Sequence, residues 1–135
     1  MRDMQVKDLP LRLQELYHRA CKVRKNAYIP YSKFAVGAAV YCSDDTICCG
    51  CNIENASYSL CVCAERNAVF QAVCAGKREL KELCVVADTK EPVSPCGACR
   101  QVMHEFNIEM IILANLQGEC KVYTVEELLP YAFEL

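Results

Sequence analysis

Two short segments, Cys63-Ala64-Glu65 and Pro95-Cys96-Gly97-Ala98-Cys99, constrain this chain more than anything else in it, because their chemistry requires the fold to bring them to one point. Together they supply three soft metal donors and one spare carboxylate. Zn²⁺ held by three protein groups keeps its fourth position for water and lowers that water's pKa to roughly 7, so a site of this kind suits hydrolysis. Cys96 and Cys99 are three residues apart. On the first turn of a helix they differ by about 60° and present both sulfurs to one place. Cys63 opens another predicted helix, so two helix starts are expected to converge on the metal. Unpaired backbone N–H groups and the positive end of each helix dipole would lower the thiol pKa there. Residues two apart inside a regular helix do not face together, so Cys63 is expected at or just before the first turn, with Glu65 beside the metal and not on it.

Around these segments the periodicity alternates between helix and strand. Leu13, Leu16, Tyr17, Ala20 and Val23 recur at helical spacing, and residues 9 to 26 read as a helix with Asp8 as its cap and Pro10 in its first turn. Phe34 to Cys42 and Thr46 to Ile53 are β-rich runs parted by Ser43-Asp44-Asp45, a polar break suited to a hairpin. Cys63 to Ala75 reads as a helix stopped by Gly76, and Leu83 to Ala87 as a strand covered on both faces. Residues 97 to 106 then read as helix and Met110 to Ala114 as strand, followed by a turn at Gly118 and an edge strand at Val122 and Tyr123. Thr124-Val125-Glu126-Glu127 is a capping box for a short last helix that Pro130 ends. The order predicts an α/β chain, a mixed sheet with helices on its faces.

The motifs resemble those of the small zinc-dependent cytidine deaminases, a family of homotetramers. The likeness is carried by Cys63-Ala64-Glu65-Arg66-Asn67-Ala68, by Ser94-Pro95-Cys96-Gly97-Ala98-Cys99-Arg100-Gln101-Val102, and by Cys51-Asn52-Ile53-Glu54-Asn55-Ala56. It runs from about Tyr31 to Phe133, most of the chain. The resemblance implies a three-layer α/β/α fold with about five strands and a single catalytic domain over residues 1–135. It implies one Zn²⁺ per chain on Cys63, Cys96 and Cys99, with Glu65 moving protons between water, the pyrimidine ring and the leaving amine. Arg66 matches a position whose guanidinium donates to the zinc-bound sulfurs; otherwise it is a surface helix arginine. Asn52 and Glu54, read as facing the same side of a strand, would hold the ribose 3′-hydroxyl, which leaves both cytidine and deoxycytidine as substrates. Phe34 would pack on the pyrimidine, or else be core. The backbone N–H of Ala64 would touch the substrate. Phe133 would reach a neighbouring subunit's ligand, or else pack locally.

Composition narrows the alternatives. A formal charge of −2 gives no basis for binding a polyanion, so a free nucleoside and water are the expected partners and a nucleic acid polymer is not. No run of eighteen apolar residues is present to suit a membrane span, and residues 1 to 10 lack an export signal, which implies a cytoplasmic enzyme. In that setting the twelve cysteines read as reduced, with those outside the metal set acting as small hydrophobes. Cys61 could complete a closed four-cysteine structural site, and Cys96 with Cys99 could form a redox pair. The first leaves Glu65, Asn52 and Glu54 without purpose; the second leaves Cys63-Ala64-Glu65 unexplained. His104 lies about 140° around its helix from Cys99, and His18 has no partner motif, so neither is expected to be a ligand. Within the superfamily, deoxycytidylate, guanine, tRNA-adenosine and aminonucleoside-antibiotic deaminases share the metal core, and the blasticidin-type enzymes are the nearest rival because they share the small tetrameric build.

Overall fold

The computed structural model describes residues 1–135, and its architecture follows from alternation along the central strands. In β2 (Val36–Cys42) every residue is buried, with Ala38, Val40 and Cys42 packed on one side of the sheet and Ala39 and Tyr41 on the other. A strand with two apolar faces needs a cover on each. One cover is α1 (Leu11–Arg24), whose Leu13, Leu16, Tyr17 and Ala20 pack over Ala39, Tyr41, Cys84, Val86 and Ile112. The opposite face carries α2 (Ala64–Cys74), α3 (Gly97–Glu105) and the single turn α4 (Val125–Leu128), packed over Ala38, Val40, Leu83, Val85 and Ile111. The result is a three-layer α/β/α arrangement.

The remaining strands are β1 (Arg2–Gln5), β3 (Ile47–Cys51), β4 (Leu80–Ala87), β5 (Met110–Asn115) and β6 (Glu119–Tyr123). They form one six-stranded mixed sheet in the order β1-β6-β5-β4-β2-β3, in which only β4 and β5 run parallel. The parallel pair needs a crossover, and α3 supplies it, so the N-terminus of α3 rises from the end of β4. α2 is the connection from β3 to β4 on the same face. Both cysteine-bearing helix starts are therefore on one side of the sheet.

Gly50 explains how closely α2 approaches. A Cβ there would lie 2.3 Å from the Ala68 nitrogen and 2.7 Å from the Ala64 carbonyl oxygen, both backbone atoms that cannot swing aside. Gly50→Ala is expected to cost about 3 kcal/mol or more in a urea titration, at the upper end of overpacking penalties. A change under about 0.5 kcal/mol would show that the helix and strand are not held at this distance.

Most elements lie where periodicity places them, within the usual uncertainty at their ends. Gly76 closes α2 with φ 86°, and Lys77 N donates to Ala72 O at 2.9 Å, the left-handed stop expected of a glycine there. The Thr124 capping box is formed. Three expectations need correction. The sheet has six strands because Arg2–Gln5 pairs with β6, which makes Val122 and Tyr123 interior and leaves β1 and β3 as the edges. Asp8 does not cap α1; Pro10 is the cap residue, and its carbonyl accepts from Leu13 N and Gln14 N. The ladder of β3 ends at Cys51, so Asn52 and Glu54 lie beyond it, on an extended segment where Ile53 forms single bridges to Tyr28 and Val62. No helix is long and apolar enough to cross a membrane.

Candidate active site

Cys63 and Cys96 are the cap residues of α2 and α3, in nearly identical extended backbone conformations: φ −70° and ψ 155° for one, φ −68° and ψ 163° for the other. Each uses its carbonyl to accept the first helical bond, Asn67 N to Cys63 O and Arg100 N to Cys96 O, both 3.1 Å. Neither helix start has a side-chain cap. The first N–H groups of both helices are thus left without a side-chain cap, and each positive dipole end lies at its cysteine. Cys99, fully buried in the first turn of α3, completes the group.

The Cys63 and Cys96 sulfurs are 3.6 Å apart, and those of Cys63, Cys96 and Cys99 all lie within 4.8 Å of one another. Tetrahedral zinc with Zn–S bonds of about 2.3 Å places its sulfurs about 3.8 Å apart, so this donor set fits the ion in both spacing and softness. Cys61 is outside the group: its sulfur accepts from Asn55 N at 3.3 Å. His104 faces Glu134 at 2.9 Å, and His18 lies edge-on to Tyr17.

Electrostatics separates Cys63 from the other cysteines. Burial raises the thiol pKa of Cys21, Cys48, Cys49, Cys51 and Cys84, and that of Cys120 to about 11. Cys63 moves the other way, to about 5, because Cys99, Arg66 and Cys96 all donate towards its sulfur. Cys99, as the principal donor, is correspondingly held as a thiol in the metal-free site. Arg66 Nη2 lies 3.5 Å from the Cys63 sulfur, which keeps the guanidinium firmly protonated and brings one positive charge to the thiolates.

Glu65 stands in the first turn of α2 and is 5 % exposed. Burial raises its carboxyl pKa and the Cys63 thiolate adds to the effect. Ala64 beside it is fully buried. Asn52 and Glu54 both reach the loop that carries Phe34. Asn52 Oδ1 accepts from Val36 N at 2.9 Å and its Nδ2 donates to Phe34 O at 2.8 Å. Glu54 Oε1 accepts from Tyr31 N at 3.0 Å and Ser32 N at 3.1 Å. Together with the Ser32 hydroxyl these amides hold the Glu54 carboxyl below its ordinary range.

Beside Glu54 is a groove of about 330 Å³ lined by Tyr31, Ser32, Glu54, Tyr58 and Cys61. Tyr31 and Tyr58 meet edge to face there, with centroids 5.9 Å apart. Tyr58, 73 % exposed, was not among the residues singled out from the sequence, where its only signal is an aromatic side chain shortly after Asn52 and Glu54. Phe34 is partly exposed. Phe133 is not brought to this groove. It is largely exposed at the chain's end, and its carbonyl accepts from Gln101 Nε2 at 3.0 Å.

A six-stranded sheet with two cysteine-capped helix starts on one face defines a metal-binding α/β fold. Residues 11–115 match the family model for the cytidine and deoxycytidylate deaminase zinc-binding region, and the chain belongs to that family. It is 55 % identical over 123 residues to a cytidine deaminase of Sporosarcina psychrophila, covering 90 % of each chain. A cytidine deaminase of Halalkalibacterium halodurans is 52 % identical over 122 residues, covering 89 % of this chain and 92 % of that one. The crystal structure of a cytidine deaminase from Burkholderia pseudomallei superposes with a TM-score of 0.86 at 47 % identity, over 89 % of this chain and 98 % of that one.

Proposed function

We propose that this chain hydrolyses cytidine and deoxycytidine to uridine and deoxyuridine with release of ammonia, as a homotetramer of single-domain subunits serving pyrimidine salvage in the cytoplasm. One observation carries the reading: a buried glutamate on the first turn of α2, two residues beyond one member of a cluster of three sulfurs. Cys63, Cys96 and Cys99 hold one zinc ion per chain, with Arg66 offsetting their charge. When bound, the ion supplies the Lewis acidity that makes water a nucleophile at neutral pH.

The chain's own groups do the rest. Glu65 takes a proton from water and passes it to the ring nitrogen, so the carbon bearing the amine becomes electrophilic as the oxygen adds to it. The remaining proton of the added oxygen then travels through Glu65 to the amine. The C–N bond then breaks and ammonia departs, leaving a carbonyl in its place. The burial of Glu65 in the first turn of α2, beside the sulfur cluster and outside it, supports this role, because a proton carrier must be held close to the reacting water without being a ligand itself. Phe34 packs on the pyrimidine and the N–H of Ala64 donates to it. Asn52 and Glu54, already fixed against the Phe34 loop, take the 3′-hydroxyl. Phe133 completes the pocket of a neighbouring subunit.

Assembly is supported by the apolar surface of the single chain, where Tyr31, Phe34, Ile53, Tyr58, Phe70 and Phe133 are all exposed. Light scattering on the purified protein is expected to give four times the 15.2 kDa chain mass. The decisive assay follows ultraviolet absorbance with cytidine, deoxycytidine, deoxycytidylate and blasticidin S. The two nucleosides are expected to turn over with similar kcat/KM. Deoxycytidylate is expected to fall by about 100-fold, because its phosphate enters a site already carrying Glu54 and Glu65. Preference for the nucleotide or for blasticidin S would replace this reading.

A further inference from the structure

Arg100 follows the second cysteine motif directly and has no part in the chemistry above, yet its guanidinium is engaged on two sides. Nε donates to the Pro95 carbonyl at 2.9 Å and Nη1 to the Leu128 carbonyl at 2.7 Å. The first acceptor is the peptide leading into Cys96. Since the Arg100 amide also closes on the Cys96 carbonyl at 3.1 Å, one residue holds two consecutive carbonyls of the turn that aims the Cys96 sulfur. The second acceptor is the last residue of α4, a four-residue helix whose final carbonyls have no partner further along it.

The contacts continue along α3. Gln101 Nε2 donates to Phe133 O at 3.0 Å and His104 Nε2 faces Glu134 Oε1 at 2.9 Å. The helix that carries two of the sulfurs at its start therefore also clasps the chain's end along its length.

We propose that Arg100 is a positioning residue that couples the two: it seats the Pro95–Cys96 turn and, through Leu128, docks α4 and the tail bearing Phe133 on the metal-holding helix. The proposal rests on reading Cys63, Cys96 and Cys99 as the zinc ligands. Arginine suits the task because its planar fork offers several fixed donors, whereas a lysine ammonium on a flexible stem bonds one carbonyl well and not both. Arg66 addresses the sulfurs themselves, and Arg100 the backbone that carries one of them.

The test compares the parent with Arg100→Gln, Arg100→Lys and Gln101→Ala, after the zinc content of the parent has been measured. Two rates are read: capture of zinc by 4-(2-pyridylazo)resorcinol, and amide hydrogen exchange across residues 125–135. Arg100→Gln is expected to release zinc about ten-fold faster, in the range seen when groups supporting metal ligands are removed. Exchange across 125–133 is expected to rise by a similar factor. Arg100→Lys should keep one of the two rates near the parent's value. Gln101→Ala should speed exchange near Phe133 and leave zinc release unchanged, which separates coupling from simple fraying of the tail. An Arg100→Gln protein in which either rate matches the parent overturns the proposal. If that variant does not fold, Arg100→Lys decides, and parent values for both rates overturn it. A parent without zinc would instead refute the ligand assignment; Cys96 alkylation by iodoacetamide, mapped by mass spectrometry, then replaces the zinc rate.

Discussion

Glutamine in place of Glu65 is expected to lower kcat for cytidine by about 10²–10⁴-fold, the range over which positioned acid–base groups act, while zinc stays at the parent's stoichiometry. The substitution keeps the size and polarity of a side chain that is 5 % exposed, so the packing of α2 on β3 has no reason to change. It also leaves Cys63, Cys96 and Cys99 in place. What it removes is the ability to accept and return a proton. In the metal-free site burial, with a smaller contribution from the Cys63 thiolate, raises the Glu65 carboxyl pKa. The measurement is single-wavelength turnover beside elemental analysis of the same sample. A variant within about ten-fold of the parent, with zinc retained, would mean that another group carries the proton.

The parts of this site that sequence made legible are those set by short-range geometry. Cys96 and Cys99 converge because three residues of helix bring them round, and Cys63 sits before its helix because the Cys63–Glu65 interval does not fit inside one. Each is a local rule, and the backbone of both caps obeys it. The hidden parts depend on contacts between distant segments. Arg2–Gln5 has no apolar alternation, and it becomes a strand only because β6 offers a free edge from Glu119 to Val122. Asn52 and Glu54 were legible as a polar pair, but their grip on backbone atoms of residues 31–36 comes from a loop folded across from them. Arg100 illustrates the same limit: its position in the motif was plain, while its second partner, Leu128, is 28 residues away.

Removal of Cys99 is expected to weaken zinc binding by about two to three orders of magnitude, and its effect on heat stability should differ in kind from that of any other buried cysteine. Zinc in four-ligand structural sites binds with about 10–16 kcal/mol, so one thiolate contributes on the order of 2.5–4 kcal/mol, and its loss weakens affinity by about 10²–10³-fold. The two sulfurs left in Cys99→Ala are those of half-buried Cys63 and exposed Cys96, which water reaches more readily than the buried third. Because a ligand that binds only the folded state stabilises it by mass action, the parent should lose several degrees of Tm when 1,10-phenanthroline strips the ion, and Cys99→Ala should not respond. Cys84→Ala provides the contrast. Cys84 is fully buried on the α1 side of the sheet, away from the cluster, so its loss costs packing alone and the chelator response should survive. Full zinc occupancy in Cys99→Ala with a parent-like chelator shift would remove Cys99 from the ligand set, and with it the fit of three sulfurs to one tetrahedral ion.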